Sequence, residues 1–278
     1  MKRQNRRTLI QIVAAAAQNA YIPGFLNGVI YQGKMKLLCV PGLNCYSCPG
    51  ALGACPVGSL QAALGRRATG PVYVLGTLML FGVLLGRLVC GFLCPFGLLQ
   101  DLLAKIPLPK VKPPRWLDRP LRYLKYVILA LTVVLAFTRA EPVFCKYLCP
   151  AGLLEAGIPL TSLNPSFAAL RGTLFYVKLV ILVILVLVAL FVERPFCKYL
   201  CPLGAFYGLF NGVGFCRMAV AETKCVRCGK CSAACPMDVD VVKHPNSPEC
   251  IRCGKCVDTC PAKAISCGFG RKANIKDS

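Results

Sequence analysis

Four long apolar stretches divide the chain, and the charged residues cluster between them. The stretches cover residues 8–33, 69–86, 126–138 and 174–192, and Lys178 is the only charged residue within them. A helix needs about 20 apolar residues to cross a hydrocarbon core of about 30 Å, so the first, second and fourth stretches are long enough. The third reaches this length if it extends back through Tyr123, with Lys125 reaching toward the interface. The pattern predicts a membrane α-helical bundle of about four transmembrane helices.

Basic residues lie mainly on one side of these helices. The start MKRQNRR and the segment between the second and third stretches are rich in Lys and Arg, whereas the segment between the third and fourth holds few. Positively charged loops stay on the cytoplasmic side, so both termini are expected there. A cleaved signal peptide would also begin with basic residues, but the uncharged run continues past Ala20 and favours a retained helix.

The composition agrees with a multi-pass protein of the cell membrane. Hydrophobic residues make up 56% and charged residues 16%, and the mean hydropathy is +0.60. The formal charge of +22 is spread over segments that flank apolar runs, which argues against nucleic-acid binding. His244 is the only histidine. A haem held by two histidines of this chain is therefore excluded, so no haem is expected.

Two cysteine runs lie in the C-terminal part of the chain: CVRCGKCSAACP from Cys225 and CIRCGKCVDTCP from Cys250. Each is C-x2-C-x2-C-x3-C-P, the run of bacterial ferredoxins with two [4Fe–4S] clusters, in which the fourth cysteine ligates the other cluster. The predicted ligand sets are Cys225, Cys228, Cys231 and Cys260 for one cluster, and Cys250, Cys253, Cys256 and Cys235 for the other. The glycine in each CGKC is expected to let the backbone approach the cluster. Two adjacent redox centres favour electron transfer over a purely structural role.

Two further pairs follow the second and fourth stretches, in GRLVCGFLCPFGLLQ and ERPFCKYLCPLGAFYG. Each is C-x3-C-P, and a spacing of four residues places two sulfurs on one face of a helix before the proline interrupts it. The predicted ligands of an inner, membrane-edge cluster are Cys90, Cys94, Cys197 and Cys201. Arg87 and Arg194 precede the first cysteine of each pair by three residues and would offset the negative charge of a cluster. The alternative is four buried thiols that only pack.

The motif FCKYLCP also occurs before the fourth stretch, with Cys145 and Cys149, so its two copies are expected on opposite membrane faces. The preferred ligands of an outer cluster are Cys48, Cys55, Cys145 and Cys149, and Cys45 and Cys39 are alternative ligands. Disulfides are the rival interpretation of these outer thiols. Cys216 and Cys267 fit neither set and are interpreted as packing residues or spare thiols. Asp101, Glu141 and Glu155 are interpreted as interfacial charges.

A C-P-x-G loop and a short amphipathic segment recur four times. The segments are GSLQAAL, FGLLQDLLAKI, AGLLEAGI and LGAFYGLF. They fall on alternating sides of the predicted helices, as an inverted internal repeat would. The sequence thus predicts two parts: residues 1–215 as a helical membrane domain with cysteine-rich loops, and residues 216–278 as a cytoplasmic α+β domain of the two-cluster ferredoxin type.

The C-x3-C-P pairs, the helical bundle and the ferredoxin runs resemble the membrane-bound 4Fe–4S polyferredoxin family. It is typified by the quinol-dehydrogenase subunit of periplasmic nitrate reductase systems and by the membrane domain of the nitrous-oxide reductase regulator. The resemblance covers most of the chain and implies [4Fe–4S] clusters that pass electrons between a membrane donor and a partner oxidoreductase. Two departures are the added Cys145/Cys149 pair with its cysteine-rich loop, and the lack of the flavin-bearing outer domain, so no covalent flavin is expected.

Three functions are compatible with these patterns. The first is a transmembrane electron conduit that serves a soluble or membrane oxidoreductase or a ferredoxin. The second is a quinone oxidoreductase subunit that uses only the cytoplasmic clusters. The third is an assembly or redox-sensing protein with no turnover of its own. No nucleophile–base triad or phosphate-binding glycine loop is present, so an electron-transfer subunit of an anaerobic oxidoreductase system is favoured over a stand-alone enzyme.

Overall fold

The computed structural model describes residues 2–66, 70–169 and 171–269. Thr69, where the second apolar stretch begins, and residues 270–278 of the predicted ferredoxin-type domain lie outside these ranges. The first half of the chain forms seven α-helices: α1 (Lys2–Gln18), α2 (Ile22–Asn27), α3 (Pro56–Gly65), α4 (Gly70–Leu85), α5 (Leu88–Phe92), α6 (Pro95–Ala104) and α7 (Arg115–Arg139). A 3₁₀ turn, Lys34–Leu37, lies between α2 and α3.

The second half begins with two π-helical segments around a single helical turn. These are the π-helix Phe144–Leu148, α8 (Pro150–Gly152) and the π-helix Leu153–Gly157. The remaining helices are α9 (Ile158–Leu163), α10 (Pro165–Ala168), α11 (Thr173–Phe191), α12 (Pro195–Tyr199), α13 (Pro202–Leu209), α14 (Lys230–Ala233) and α15 (Lys255–Thr259). Strands β1 (Cys216–Val220) and β2 (Ile265–Phe269) pair antiparallel, with Met218 opposite Cys267.

Two helices in the described ranges are long and apolar enough to cross a membrane: Trp116–Arg139 of α7, and α11. The apolar part of α4, Pro71–Leu85, is shorter. The single helix expected over residues 8–33 is wrong, because α1 ends at Gln18 and α2 begins separately at Ile22 with Pro23 in its first turn.

The apolar faces of the candidate spans point outward. In the most apolar 18 residues of each helix, only 17% of α7 and 11% of α11 is buried. Leu131 of α7 is 51% exposed and Ile184 of α11 is 54% exposed. A core helix of a soluble domain would bury these side chains, so this pattern favours contact with lipid.

One hydrophobic core joins the helical bundle to the ferredoxin-type part. It contains Leu43 of the first loop, Val89 of α5, Tyr207 of α13 and Ile251 of the second cysteine run. A smaller core lies under the two-stranded sheet and includes Met218 and Ile265. The two predicted parts of the chain therefore pack against each other directly.

Buried ion pairs hold the ends of the helices together. Arg194 makes a two-pronged contact with the carboxylate of Asp101, with Nε–Oδ1 at 2.7 Å and Nη2–Oδ2 at 2.5 Å, and Arg7 lies 3.1 Å from the same carboxylate. On the other side, Glu249 of the second cysteine run accepts from Arg87 at 2.9 Å and from Lys125. Asp101 and Glu249 are thus largely buried structural carboxylates, and the pairing of Asp101 with Arg194 and Arg7 was not predicted from the sequence.

Asp101→Asn should lower the stability of the folded protein by about 3–5 kcal/mol, because Arg194 is fully buried and would lose the carboxylate that pairs with it. Glu141→Gln is the matched control, since Glu141 pairs with Lys146 in an exposed site and this pair should contribute little. Thermal unfolding of the detergent-solubilised protein measures both effects. Equal melting temperatures for the two variants would contradict the role given to Asp101.

Candidate iron–sulfur centres

Each cysteine of the four C-P-x-G motifs begins a helix. Cys55, Cys94, Cys149 and Cys201 are the N-caps of α3, α6, α8 and α13, and proline occupies the first position of each helix. Proline suits this position because its missing N–H would have no helical partner. The N–H of Gly152 donates to Cys149 Sγ at 3.4 Å, and that of Gly204 donates to Cys201 Sγ at 3.3 Å. The C-P-x-G motif therefore places the cysteine sulfur at the N-terminus of a helix. The backbone N–H groups and the helix dipole there favour a thiolate.

The four inner cysteines come together in the bundle. Cys90 and Cys197 lie on α5 and α12, and all four sulfurs are buried. Burial raises the pKa of Cys201 well above its usual value, and the neighbouring thiols of Cys197, Cys90 and Cys94 raise it further. Such mutual effects require short separations, so the four sulfurs share one site. We call Cys90, Cys94, Cys197 and Cys201 the central site.

The two cysteines of each inner pair do not share one helix. Cys90 stands on α5, but the chain turns before Cys94, whose backbone is extended and begins α6. The proline after Cys94 forces this turn, since the residue before a proline avoids helical angles. The expectation of two sulfurs one helical turn apart was wrong, although both sulfurs still reach the same site.

Arg87 and Arg194 bind the central site reciprocally. Arg87 Nη2 donates to the carbonyl of Cys197 at 2.8 Å, and Arg194 Nη1 donates to the carbonyl of Cys90 at 2.7 Å. Neither guanidinium is exposed to solvent. Burial raises the pKa of Cys90, whereas the charges of Arg87 and Arg194 lower it. The two arginines therefore lie where positive charge favours thiolates at this site.

A second group of sulfurs surrounds a cavity of about 620 Å³. Its cysteines are Cys45, Cys55, Cys145 and Cys149, and Arg66 and Lys178 also line it. Burial raises the pKa of Cys149 well above its usual value, and the thiols of Cys145, Cys45 and Cys55 raise it further. We call these four cysteines the distal site. Lys178 donates from Nζ to the carbonyl of Cys145 at 3.0 Å, which gives a partner to the only charge in the fourth apolar stretch.

Cys45, rather than Cys48, faces this cavity. A side-chain carbon placed on Gly152 would lie 3.8 Å from the sulfurs of both Cys149 and Cys45. The thiol of Cys48 instead lies 3.5 Å from Asn19 Oδ1, to which it donates. The two cysteines are only three residues apart, and the structure brings the alternative ligand, Cys45, into the distal site.

The backbone of Cys45 is held by Glu155. Its N–H donates to Glu155 Oε2 at 2.6 Å, and burial raises the pKa of this carboxyl to about 7. Glu155 therefore orients a cysteine of the distal site, which the sequence interpretation as an interfacial charge missed. Glu141 does lie at the surface, paired with Lys146.

The ferredoxin-type cysteines form two further sites, with the fourth cysteine of each run crossing over. Cys225, Cys228, Cys231 and Cys260 line one small cavity, which we call ferredoxin site 1. Burial raises the pKa of Cys256 to about 12, and the thiols of Cys253, Cys250 and Cys235 contribute to the rise. We call Cys235, Cys250, Cys253 and Cys256 ferredoxin site 2.

The two ferredoxin runs share one backbone conformation. Arg227 and Arg252 have φ of 51° and 53°, and Gly229 and Gly254 have φ of 73° and 80°. A side-chain carbon on Gly229 would meet nothing within 4 Å. Glycine suits both positions because it adopts a left-handed φ without strain, and the close approach of this backbone to a cluster stays a prediction.

Four cysteines remain outside these sites. Cys39 pairs through its backbone with Ala54, and its thiol lies beside Ser59. Cys216 and Cys267 stand on the paired strands with their sulfurs 4.0 Å apart. Cys48 is the fourth. All 20 cysteines, each within the described ranges, are free thiols, so the disulfides considered for the outer loop are not formed in this structure.

The four donor sets each have the number of thiols that a [4Fe–4S] cluster binds. Among the described residues, no three His, Cys, Asp or Glu side chains converge as they would around one metal ion. A cubane takes one thiolate at each of four irons, so its ligands stand farther apart than those of a single ion. The four sites each offer four thiols, and the distal site leaves open volume between them. Clusters would be held by the central, distal and two ferredoxin sites.

Short contacts connect these sites. The carbonyl of Leu43 lies 3.9 Å from Cys94 Sγ of the central site, and Cys45 of the distal site follows two residues later. Two residues span at most about 7 Å, so the two sites are neighbours. A side-chain carbon on Gly91, next to Cys90, would lie 2.5 Å from the carbonyl of Ile251, next to Cys250 of ferredoxin site 2. The central site therefore adjoins both the distal site and ferredoxin site 2.

Comparison with known proteins agrees with the geometry. A family described as a 4Fe-4S binding domain matches residues 68–114, 121–158 and 174–218, and a 4Fe-4S dicluster domain matches residues 217–261. The chain is thus similar to 4Fe–4S proteins of the ferredoxin type. The resemblance drawn from the sequence is thereby confirmed, and the matched families support [4Fe–4S] clusters as the cofactors of this ferredoxin-type protein.

Three relatives illustrate the similarity. The chain is 33% identical to the uncharacterized protein MJ0750 of Methanocaldococcus jannaschii over 58% of its own length and 63% of that protein. It is 30% identical to the putative electron transport protein YccM of Escherichia coli over 59% of the chain and 45% of the relative. It is 27% identical to the ferredoxin-type protein NapH of Haemophilus influenzae over 60% of the chain and 53% of the relative. The ferredoxin-type protein thus spans 45–63% of the length of these relatives. No solved structure matches it.

Cys45→Ser should lower the iron content by about four atoms per protein, because the distal site would lose one of its four thiolates. Cys48→Ser is the matched control, three residues away in the same loop, and should retain the iron. Iron and acid-labile sulfide are counted after anaerobic purification. Loss of iron in Cys48→Ser with retention in Cys45→Ser would return Cys48 to the ligand set.

Proposed function

We propose that this protein is an integral-membrane iron–sulfur protein that relays electrons between the membrane or its far face and a soluble oxidoreductase or ferredoxin. The observation that carries this proposal is the contact of Leu43 with Cys94 Sγ, which sets the distal site beside the central site. The two FCKYLCP motifs flank α11, and Leu43 to Cys45 is the short segment that connects their sites. [4Fe–4S] clusters bound at such sites take up and release single electrons.

The four sites can be placed in a row from the contacts between residues adjacent to their cysteines. Ferredoxin site 1 is the most accessible, since Cys228 is exposed. Ferredoxin site 2, the central site and the distal site come next, joined by Ile251 against Gly91 and by Leu43 against Cys94. Tyr207 packs in the same core as Cys90 and Cys94 of the central site and Cys55 of the distal site. Single electrons would pass along this row.

Apolar side chains exclude water from the row of sites, and buried ion pairs fix the charged residues beside it. Val89, Leu43, Phe196 and Tyr207 are at most 2% exposed and fill the space around the central site. Excluding water preserves the effect of the buried arginines on the sulfurs, since charges act more strongly at low dielectric. The buried pairs Arg87–Glu249 and Arg194–Asp101 fix those arginines in place.

We place the bundle in the cell membrane, with the ferredoxin-type residues 216–278 and both termini on the cytoplasmic side. The exposed apolar faces of α7 and α11 support the membrane location. The distribution of Lys and Arg supports the orientation. The basic surface beside exposed Cys228, with Lys224, Arg227 and Lys230, suits an acidic soluble partner.

A second candidate function is quinone oxidation or reduction at the distal site. It is favoured by the cavity of about 620 Å³, which lies in the size range of small-molecule sites and has Lys178 and Arg66 among its lining residues. In that case the electrons would come from a small molecule held in the cavity and not from the far face of the membrane.

Vesicles that enclose cytochrome c and carry the protein in their membrane test the conduit, with dithionite as the impermeant reductant outside. The intact protein should reduce the enclosed cytochrome c, Cys48→Ser should match it, and Cys45→Ser should lose most of the rate. Transfer no faster than in empty vesicles, or an undiminished rate in Cys45→Ser, would show that the conduit is wrong. Quinol-dependent reduction of the ferredoxin sites that depends on Cys45 would favour the second candidate.

A further inference from the structure

One position recurs in all four C-P-x-G segments and is not part of any ligand set. The sixth residue after the C-P cysteine is Gln61, Gln100, Glu155 and Tyr207 in the four segments. Gln61, Gln100 and Tyr207 are at most 3% exposed, which is unusual for glutamine. Buried amides need partners for both donors and for the carbonyl, so these contacts show what the position does.

Gln61 binds a sulfur of the distal site. Its Nε2 donates to Cys145 Sγ at 3.3 Å and to the carbonyl of Val57 at 3.1 Å. Its Oε1 accepts from the N–H of Phe144 at 3.0 Å. Both amide hydrogens and the carbonyl therefore have a partner.

Gln100 repeats this arrangement at the central site. Its Nε2 donates to Cys197 Sγ at 3.1 Å and to the carbonyl of Phe96 at 3.4 Å, and its Oε1 accepts from the N–H of Phe196 at 3.2 Å. The three partners are equivalent to those of Gln61. In both cases the sulfur belongs to the first cysteine of an FCKYLCP motif, and the N–H belongs to the phenylalanine before it.

The partners leave no choice in the direction of either amide. The backbone N–H of Phe144 or Phe196 can only donate, and the carbonyl of Val57 or Phe96 can only accept. The amide oxygen must therefore face the N–H, which leaves an N–H of the same amide facing the sulfur. A rotated amide would lose two hydrogen bonds in a buried place, where unpaired polar groups are costly.

The other two members of the position do not contact a sulfur. Tyr207 donates from its hydroxyl to the carbonyl of Pro41 at 2.9 Å, and Glu155 accepts from the N–H of Cys45 at 2.6 Å. These are the two ends of the segment that joins the central site to the distal site. The distal and central sites thus each have one glutamine that donates to a ligand sulfur. The segment Pro41 to Cys45 between them has a polar side chain bound at each end.

We propose that Gln61 and Gln100 are matched redox-tuning residues, each of which raises the reduction potential of one site by donating a hydrogen bond to a ligand sulfur. A donor beside a thiolate stabilises the extra negative charge of the reduced state, so the potential rises. This inference rests on the proposed function, in that it requires clusters at the distal and central sites.

Gln61→Leu and Gln100→Leu separate the two sites, and each variant is the control for the other. Gln61→Leu should shift the midpoint potential of the distal site to a more negative value and leave the central site unchanged. Gln100→Leu should do the opposite. The midpoints are measured by anaerobic redox titration of the full-length protein, followed by electron paramagnetic resonance, and Cys45→Ser identifies the signal of the distal site.

Gln61→Glu and Gln100→Glu provide a second measurement if the leucine variants fold poorly. Glutamate keeps the length of the side chain and the oxygen that accepts from phenylalanine, but an ionised carboxylate has no N–H for the sulfur. These variants should also shift the potential of their own site to a more negative value. Unchanged midpoints overturn the inference, and so does loss of iron from both variants of one glutamine, because that outcome assigns it a structural role.

The failure of this inference is distinct from a failure of the proposed function. If Cys45→Ser and Cys145→Ser lose no iron, the distal site holds no cluster and the proposed function fails with it. If iron is lost in those variants but the glutamine variants keep their midpoints, the clusters stand and only the tuning role is wrong.

Discussion

Sulfurs packed together in an apolar core depend on positive charge and hydrogen-bond donors to exist as thiolates. At the central site, burial and the other thiols oppose ionisation of Cys90, whereas Arg87 and Arg194 favour it. Both arginines are themselves fully buried and would be costly without Glu249 and Asp101 beside them. Each buried arginine beside the cysteines is therefore paired with a carboxylate. These pairs also hold α1, α6 and the second cysteine run against the bundle.

The sequence-based predictions are strongest where a short spacing determines the geometry. The ferredoxin runs, the C-P cysteines and the arginines three residues before Cys90 and Cys197 follow from local rules for loops and helix ends. The reciprocal contact of each arginine with the opposite motif depends on the fold, and no spacing along the chain could indicate it. The pairing of Asp101 with Arg194 and Arg7 also depends on the fold, because nothing in the local sequence distinguishes Asp101 from a carboxylate at the surface.

Other features were missed for physical reasons that can be named. Hydropathy over residues 8–33 does not reveal that the chain leaves α1 at Gln18, because uncharged loops inside a bundle are as apolar as a helix. Cys45 and Cys48 are three residues apart in one loop, and only the position of Gly152 and Asn19 distinguishes them. Gln61 and Gln100 carried a detectable signal, since both stand six residues after a C-P cysteine.

The N-terminal helix packs on the C-terminal cysteine loop: Gln4 donates to the carbonyl of Cys253 at 3.3 Å and to Asp258 at 2.9 Å. The same helix also contacts α6, where Arg7 and Gln11 both bind Asp101. Because Asp101 fixes Arg194 beside the central site, α1 connects the central site with ferredoxin site 2. A displacement of α1 would therefore disturb both sites at once.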